Sequence, residues 1–92
     1  MKVQSIYYNK CFLSQFRSLP DLIKKKAVKT EKLFRANPFH PSIRLHKLQG
    51  KLKDLWSISI DMKYRIIFKP LENGVILFIS TGLHAIYDKT LN

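Results

Sequence analysis

Four polar side chains in the second half of the chain are of types that transfer protons or bind phosphate: His46, Arg65, His84 and Tyr87. Histidine and tyrosine can exchange protons, while the arginine guanidinium offers a fixed charge and a planar set of donors that fits a phosphate. RNA carries its own nucleophile, because its 2′-hydroxyl attacks the adjacent phosphate once a base removes the proton. Taken singly, each of these residues is more often an ordinary surface group. Together they suggest, without specifying, a site that acts on RNA.

The chain is strongly basic, since 17 lysines and arginines stand against 6 aspartates and glutamates and give a formal net charge of +11. So many like charges on a chain of 92 residues repel one another, and a polyanion relieves that repulsion. We therefore expect a polyanionic partner, and RNA rather than DNA. A basic surface that only keeps the protein soluble and an acidic protein partner are the alternatives.

The residue pattern gives no support to a metal or nucleotide cofactor. One cysteine, three scattered histidines, three glycines and few carboxylates form neither a zinc or magnesium constellation nor a glycine-rich phosphate loop. We expect a site that works without metal or cofactor.

The single cysteine and the lack of long apolar stretches bear on the compartment. Cys11 cannot form an internal disulfide, and its neighbours Phe12 and Leu13 predict a buried thiol. The sequence has no signal-peptide pattern and no apolar run long enough to span a bilayer. We expect a cytoplasmic protein without a membrane partner.

The first third of the chain predicts a strand followed by a helical hairpin. Residues 3–8 are rich in the β-branched and aromatic types that strands favour, and Asn9 is a good helix cap. A second helix is expected to start at Pro20-Asp21 and to end at Asn37-Pro38. Apolar residues recur at helical spacing in the two helices, at Phe12, Phe16 and Leu19 and then at Ile23, Ala27 and Phe34.

The second half of the chain predicts an antiparallel meander. A short strand is expected over residues 45–48, and two longer strands over residues 55–61 and 64–69 show alternation. Asn73-Gly74 is a hairpin turn signal before the apolar run 75–79. Alternation places on one face Trp56, Ile58, Ile60, Tyr64, Ile66 and Phe68. It places on the other face Ser57, Ser59, Asp61, Arg65 and Lys69.

The helical hairpin can bury its apolar stripe only by packing on one face of the sheet, which predicts an α+β fold. The first of the two faces would meet the helices and the second would be free. Trp56 and Phe68 are therefore interpreted as core residues rather than as platforms for stacked bases. A chain of 92 residues, 46% of them hydrophobic, is expected to form one domain, residues 1–92.

Two stretches of the sequence resemble a known toxin superfamily. The run from Arg44 to Ile58, which contains His46-Lys47-Leu48-Gln49-Gly50, and the following Tyr64-Arg65-Ile66-Ile67-Phe68 are similar to the central signature of the RelE/ParE superfamily. The ending Gly82-Leu83-His84-Ala85-Ile86-Tyr87 is similar to the glycine, histidine and tyrosine ending of many members. The likeness covers roughly residues 37–88 and is greatest to the HigB-like and YafQ-like ribonucleases.

The resemblance implies a helical hairpin on a curved antiparallel sheet and a metal-independent, ribosome-dependent endoribonuclease that cleaves mRNA. By position, it implies that His46 is a general base or acid, that Arg65 stabilises the phosphate, and that His84 and Tyr87 donate a proton or orient the nucleotide. It also implies RNA-backbone contacts from Lys47, Lys51 and Lys53, and Lys69 on the predicted free face is expected to bind RNA with them. The implied partners are a cognate antitoxin, mRNA and the ribosome, with the toxin–antitoxin complex binding its own operator DNA through the antitoxin.

Departures from the family pattern limit what the resemblance carries over. Ser57 stands where many members have arginine, and Ser59 and Lys63 stand where YafQ-like proteins have a further histidine and an aspartate. An acid–base scheme copied from YafQ therefore does not fit this chain. Two other interpretations stay open: a ParE-like toxin that inhibits DNA gyrase without cleaving RNA, and an inactive member that only binds nucleic acid or antitoxin.

Overall fold

The computed structural model describes residues 1–83 and 85–86. The strands in this part of the chain are β1 (Ser5–Tyr8), β2 (His46–Lys47), β3 (Trp56–Ser59), β4 (Tyr64–Pro70) and β5 (Val75–Leu83). The helices are α1 (Lys10–Arg17) and α2 (Asp21–Ala36), with short 3-10 turns at Pro41–Ile43, Gly50–Leu52 and Glu72–Gly74. None of the helices in the described residues is long and apolar enough to cross a membrane.

The five strands form one sheet in the order β1-β5-β4-β3-β2. Strands β2 to β5 are an antiparallel meander, as predicted, whereas β1 pairs parallel with β5. Both helices pack on one face of this sheet, so the predicted α+β architecture is confirmed. The chain passes from β1 through the helical hairpin to β2, which joins the far edge of the sheet.

The helix boundaries follow the capping signals in the sequence. The Asn9 side chain accepts a hydrogen bond of 2.8 Å from the backbone N–H of Phe12 and so caps α1. Helix α2 begins directly after Pro20 and ends at Ala36, before Pro38. The side-chain oxygen of Gln15 in α1 accepts a 2.9 Å bond from the backbone N–H of Thr81, which fastens α1 to the edge of β5 that β1 does not cover.

The main core lies between the helices and the sheet. At its centre three phenylalanine rings are in contact, with centroid separations of 4.9 Å between Phe34 and Phe68 and 6.3 Å between Phe68 and Phe78. Trp56 is half-buried against the same cluster. The predicted core roles of Trp56 and Phe68 are thus confirmed.

The opposite face of the sheet, here called the outer face, is partly covered, which the strand alternation did not predict. A second cluster of Leu48, Ile67 and Ile86, flanked by Leu52 and Leu55, lies on it. Ser57 and Ser59 are buried there, so their predicted exposure is wrong. Alternation shows which residues share a face, but it cannot show that a connecting segment folds back over that face. Residues 48–55 do so here.

Two further expectations from the sequence are wrong in detail. Cys11 is exposed rather than buried, because the short α1 turns only its Phe12 side to the core. Asp61 does not extend the face of β3, since that strand ends at Ser59 and Asp61 lies in the β3–β4 turn.

Candidate functional site

The strand register brings His46 and Arg65 to the same face of the sheet. His46 is paired with Ser57, which is in turn paired with Ile67, and Arg65 lies two residues before Ile67 in β4. Strand spacings of about 4.8 Å and a rise of about 3.4 Å per residue place the two Cα atoms about 12 Å apart.

His46 is exposed on the short edge strand β2, and its ring has a defined neighbour. Its Nδ1 lies 3.2 Å from the carbonyl oxygen of Arg44. A carbonyl oxygen can only accept, so this bond assigns the hydrogen to Nδ1 and leaves the lone pair of the neutral ring on Nε2. Nε2 is therefore the nitrogen able to take a proton from a substrate.

Arg65 is half-buried and held on one side. Its Nη1 donates to the carbonyl oxygen of Asp61 at 2.5 Å and to that of Tyr64 at 3.1 Å. Its partners across the neighbouring strands are Ser59 in β3 and Gly82 in β5, both small. The two hydrogen bonds use only Nη1, and the other edge of a guanidinium, with two nitrogens, matches an anion such as phosphate.

Gly82 also fits closely against the end of the described chain. A Cβ at this position would lie 2.6 Å from Cγ2 of Ile86, closer than real contacts allow. Ile86 itself is buried on the outer face, in the cluster with Leu48 and Ile67. Ile86 therefore ties the chain beyond β5 to the face that carries Arg65, and only a glycine at position 82 permits this approach.

The four lysines expected to contact RNA do not share one surface. Lys69 is exposed and alternates with the core residue Phe68, so it lies on the outer face with Arg65. Lys51 and Lys53 are exposed in the segment that folds over this face. Lys47 pairs with Trp56 and so points to the helix side of the sheet, away from His46.

The strands of the described chain carry positive and no negative side chains on the outer face. The five described strands contain no aspartate or glutamate at all, whereas they contribute His46, Arg65 and Lys69 to this face. Such a distribution attracts anionic ligands. The two remaining predicted site residues, His84 and Tyr87, lie outside the described residues.

Two residues next to Arg65 shape its surroundings and were not among the predicted site residues. Alternation alone places Asp61 in a strand, although an aspartate at the end of an alternating run is a turn signal. The sequence shows Gly82 only as part of the C-terminal motif, without its close approach to Ile86. Within the described residues, no three histidine, cysteine, aspartate or glutamate side chains lie close enough together to hold a metal ion.

A separate polar group lies on the helix side of the sheet. The Tyr8 hydroxyl donates to Oε1 of Glu31 at 2.5 Å, and Nη2 of Arg35 donates to the same oxygen at 3.1 Å. Burial, followed by the hydrogen bond and the charge of Glu31, raises the pKa of Tyr8 above its usual value, while Arg35 opposes this shift. This group joins β1 to α2 and is remote from His46 and Arg65.

Comparison with known families decides the class of protein. Residues 16–84 match a family model described as the RelE-like toxin of the type II toxin–antitoxin system HigB, which is well over half of the chain. The chain belongs to this family. It is a toxin of the type II toxin–antitoxin class, in the RelE/ParE superfamily. A comparison with curated proteins gave no match.

Solved structures confirm the RelE-like fold. YafQ from Escherichia coli BL21(DE3) superposes with a TM-score of 0.74 at 22% identity, over 89% of this chain and 94% of YafQ. The toxin–antitoxin complex DinJ–YafQ from E. coli gives 0.72 at 21% identity, over 94% and 97% of the two chains. The archaeal RelE–RelB complex from Pyrococcus horikoshii OT3 gives 0.69 at 18% identity, over 90% and 96%. At these identities the likeness establishes the fold alone.

Proposed function

We propose that this RelE-like toxin is a metal-independent, ribosome-dependent endoribonuclease that cleaves mRNA. The observation that carries the proposal is the placement of His46 and Arg65 on one sheet face, about 12 Å apart by strand geometry. Arg65 is the cation beside the scissile phosphate, and His46 is a proton-transfer group whose Nε2 is free for the substrate.

The reaction begins with attack of the 2′-hydroxyl on the adjacent phosphorus. A base removes the 2′-hydroxyl proton, Arg65 stabilises the charge that develops on the phosphate oxygens, and an acid protonates the departing 5′-oxygen. The products are a 2′,3′-cyclic phosphate and a 5′-hydroxyl end. His46 takes one of the two proton-transfer roles, and His84 with Tyr87 supplies the other or orients the nucleotide. The assignment of His84 and Tyr87 rests on the family resemblance.

The RNA backbone runs over the positive outer face in this proposal. Lys51, Lys53 and Lys69 are exposed on or above that face and neutralise phosphates outside the cleavage site. Lys47 is on the other side of the edge strand, so it contributes through its charge at the sheet edge rather than through a contact beside His46. The substrate is mRNA on the ribosome, which places the protein in the cytoplasm.

A cognate antitoxin is the proposed protein partner. Two structural neighbours are toxin–antitoxin complexes, DinJ–YafQ and RelE–RelB. An acidic or amphipathic antitoxin segment that folds on binding would cover the positive outer face and exclude RNA from it. The resulting complex would bind its own operator DNA through the antitoxin.

Mapping of transcript 5′ ends after brief expression tests the proposed function. Wild-type protein should give new 5′-hydroxyl ends clustered inside translated codons, and Arg65→Ala and His46→Ala should abolish both these ends and the growth arrest. Arg17→Ala and His40→Ala are matched controls, because neither residue lies on a sheet strand, and both should cleave as wild type does. Intact transcripts during growth arrest would contradict the proposal. If DNA supercoiling then fails as well, the ParE-like interpretation is correct.

A further inference from the structure

The β3–β4 turn is built around the side chain of Asp61. Its Oδ1 accepts hydrogen bonds of 2.8 Å from the backbone N–H groups of Lys63 and Tyr64. These two bonds join a backbone bond of 2.9 Å from the Ile60 N–H to the Tyr64 carbonyl in closing the turn just before β4, which begins at Tyr64. Aspartate forms this kind of turn because its short side chain reaches the backbone two and three residues further along.

The same residue holds Arg65 through a different atom. The backbone carbonyl oxygen of Asp61 accepts from Nη1 of Arg65, at 2.5 Å. That carbonyl is aimed at Nη1 only while the turn keeps its shape, since a backbone oxygen has no freedom of its own. The Asp61 side chain thus fixes the position of an oxygen that in turn fixes the guanidinium.

The charge on Asp61 is stabilised within this arrangement. Burial of the carboxyl group raises its pKa, but the backbone donors of Tyr64 and Lys63, with the charges of Lys26 and Arg65, outweigh this and bring the pKa below its usual value. Lys26 in α2 lies 4.0 Å from Oδ2, and so the turn is also tied to the helix layer. Asp61 is therefore ionised and held in place near neutral pH.

We propose that Asp61 is a positioning residue for Arg65, whose open guanidinium edge it presents to the scissile phosphate. This inference rests on the proposed function for the phosphate, but the hold on the guanidinium is a property of the free protein. One nitrogen is occupied by backbone oxygens, so the planar group is held and its other donors are not used by these bonds. An arginine fixed before the substrate arrives loses less freedom on binding.

The conservative variant separates the turn from the charge. Asp61→Asn keeps a side-chain oxygen that can accept from Lys63 and Tyr64, so cleavage in a single-turnover assay on programmed ribosomes should stay within about threefold of wild type. Asp61→Ala removes the acceptor and releases the carbonyl that holds Arg65. Misplacement of a catalytic group by about 1 Å can cost about 100-fold, so we expect a fall in rate of about 10- to 100-fold with little change in KM.

Two controls separate positioning from stability. Asn73→Ala disturbs the other hairpin turn, where Asn73 has a φ of 59°, and should lower the melting temperature without lowering cleavage. Lys26→Ala removes the ion pair to Asp61 and leaves the turn bonds in place, so it should cleave within about twofold of wild type. If the loss of cleavage in both Asn73→Ala and Asp61→Ala is proportional to the fall in melting temperature, Asp61 does not position Arg65.

A double-mutant cycle completes the test. In an Arg65→Ala background, Asp61→Ala should have no further effect on cleavage. Where cleavage by Arg65→Ala is undetectable, the readout is the affinity for an oligonucleotide with a 2′-deoxy substitution at the cleaved position, which Asp61→Ala should not change further. Equal losses in both backgrounds would overturn the inference. If Arg65→Ala cleaves like wild type, the proposed function fails instead.

A spectroscopic arm is independent of cleavage. In nitrogen NMR spectra of the free protein, the guanidinium of Arg65 should be ordered in wild type and in Asp61→Asn, and disordered in Asp61→Ala. Unchanged order in Asp61→Ala would show that Asp61 does not hold the arginine, whatever the protein does to RNA.

Discussion

Replacement of Gly82 by alanine tests how closely the end of the described chain is held against β5. The added Cβ would lie 2.6 Å from Cγ2 of Ile86, and ordinary contact begins at 3.4 Å, so the two atoms must separate by 0.8 Å (3.4 minus 2.6). Overpacking of this kind costs about 1–3 kcal/mol, and the backbone at φ 157° adds about 1 kcal/mol for a residue with a side chain. We expect Gly82→Ala to lower the free energy of unfolding by about 3 kcal/mol.

Removal of the opposing methyl group should recover part of this loss. Ile86→Ala alone leaves a hole beside Leu48 and Ile67 and should cost about 2 kcal/mol, the low end for a buried isoleucine. The double variant has no Cγ2 to meet the new Cβ, so it should cost about 3–4 kcal/mol rather than the additive value of about 5 kcal/mol. Gly50→Ala is the control for backbone strain alone, since Gly50 has φ 65° and nothing within 4 Å of the added Cβ.

Urea unfolding, followed by the fluorescence of the single Trp56, gives these values, provided that the denaturant slope is unchanged between variants. His84 and Tyr87 flank Ile86 in the sequence, so Gly82→Ala should also reduce cleavage at temperatures where the protein is folded. The reasoning is refuted if the two substitutions are additive, or if Gly82→Ala costs no more than Gly50→Ala.

Three further predictions concern charge and pH. Because the pKa of Asp61 is lowered in the folded protein, the ionised carboxylate stabilises the fold above the pKa that Asp61 has in the unfolded chain. This stabilisation is lost as pH falls through the pKa in the folded state, so the free energy of unfolding of Asp61→Asn should fall less than that of wild type at acid pH. Because the pKa of Tyr8 is raised in the folded protein, the neutral hydroxyl stabilises the fold fully below about pH 10, and this stabilisation is lost as pH rises through the pKa in the folded state. Tyr8→Phe should not show this loss of the free energy of unfolding at alkaline pH. Filter binding to single-stranded RNA at several salt concentrations gives the slope of log K against log salt. Lys69→Ala should make this slope shallower by about 0.7, and Lys47→Ala should change it less.

Local signals in the sequence were sufficient for most of the secondary structure. Asn9 and Pro20 marked the helix starts, and Asn73-Gly74 marked the last turn, where both residues have positive φ. These signals work because capping and turn geometry depend on a few adjacent residues. The parallel pairing of β1 with β5 was not accessible in this way, since it joins residues about seventy positions apart and leaves no local trace.

Some features of the candidate site were also predictable from the sequence and others were not. Alternation correctly placed Arg65 on the face opposite the helices, and the family resemblance singled out His46 in the neighbouring edge strand. The buried state of Ser57 and Ser59 was missed, because residues 48–55 and Ile86 cover that face through contacts between distant parts of the chain. The roles of His46, Arg65, His84 and Tyr87 stay predictions.

The sequence by itself determined the basic charge, the helix boundaries, the Asn73-Gly74 turn, the faces of the residues in β3 and β4 and the family, since each depends on composition or on residues close together in the chain. Tertiary structure decided which parts of the outer face are covered and which residues of neighbouring strands lie together on it. The register of three strands places His46 and Arg65 on one face, about 12 Å apart by strand geometry. This depends on where distant segments meet, which no local pattern specifies.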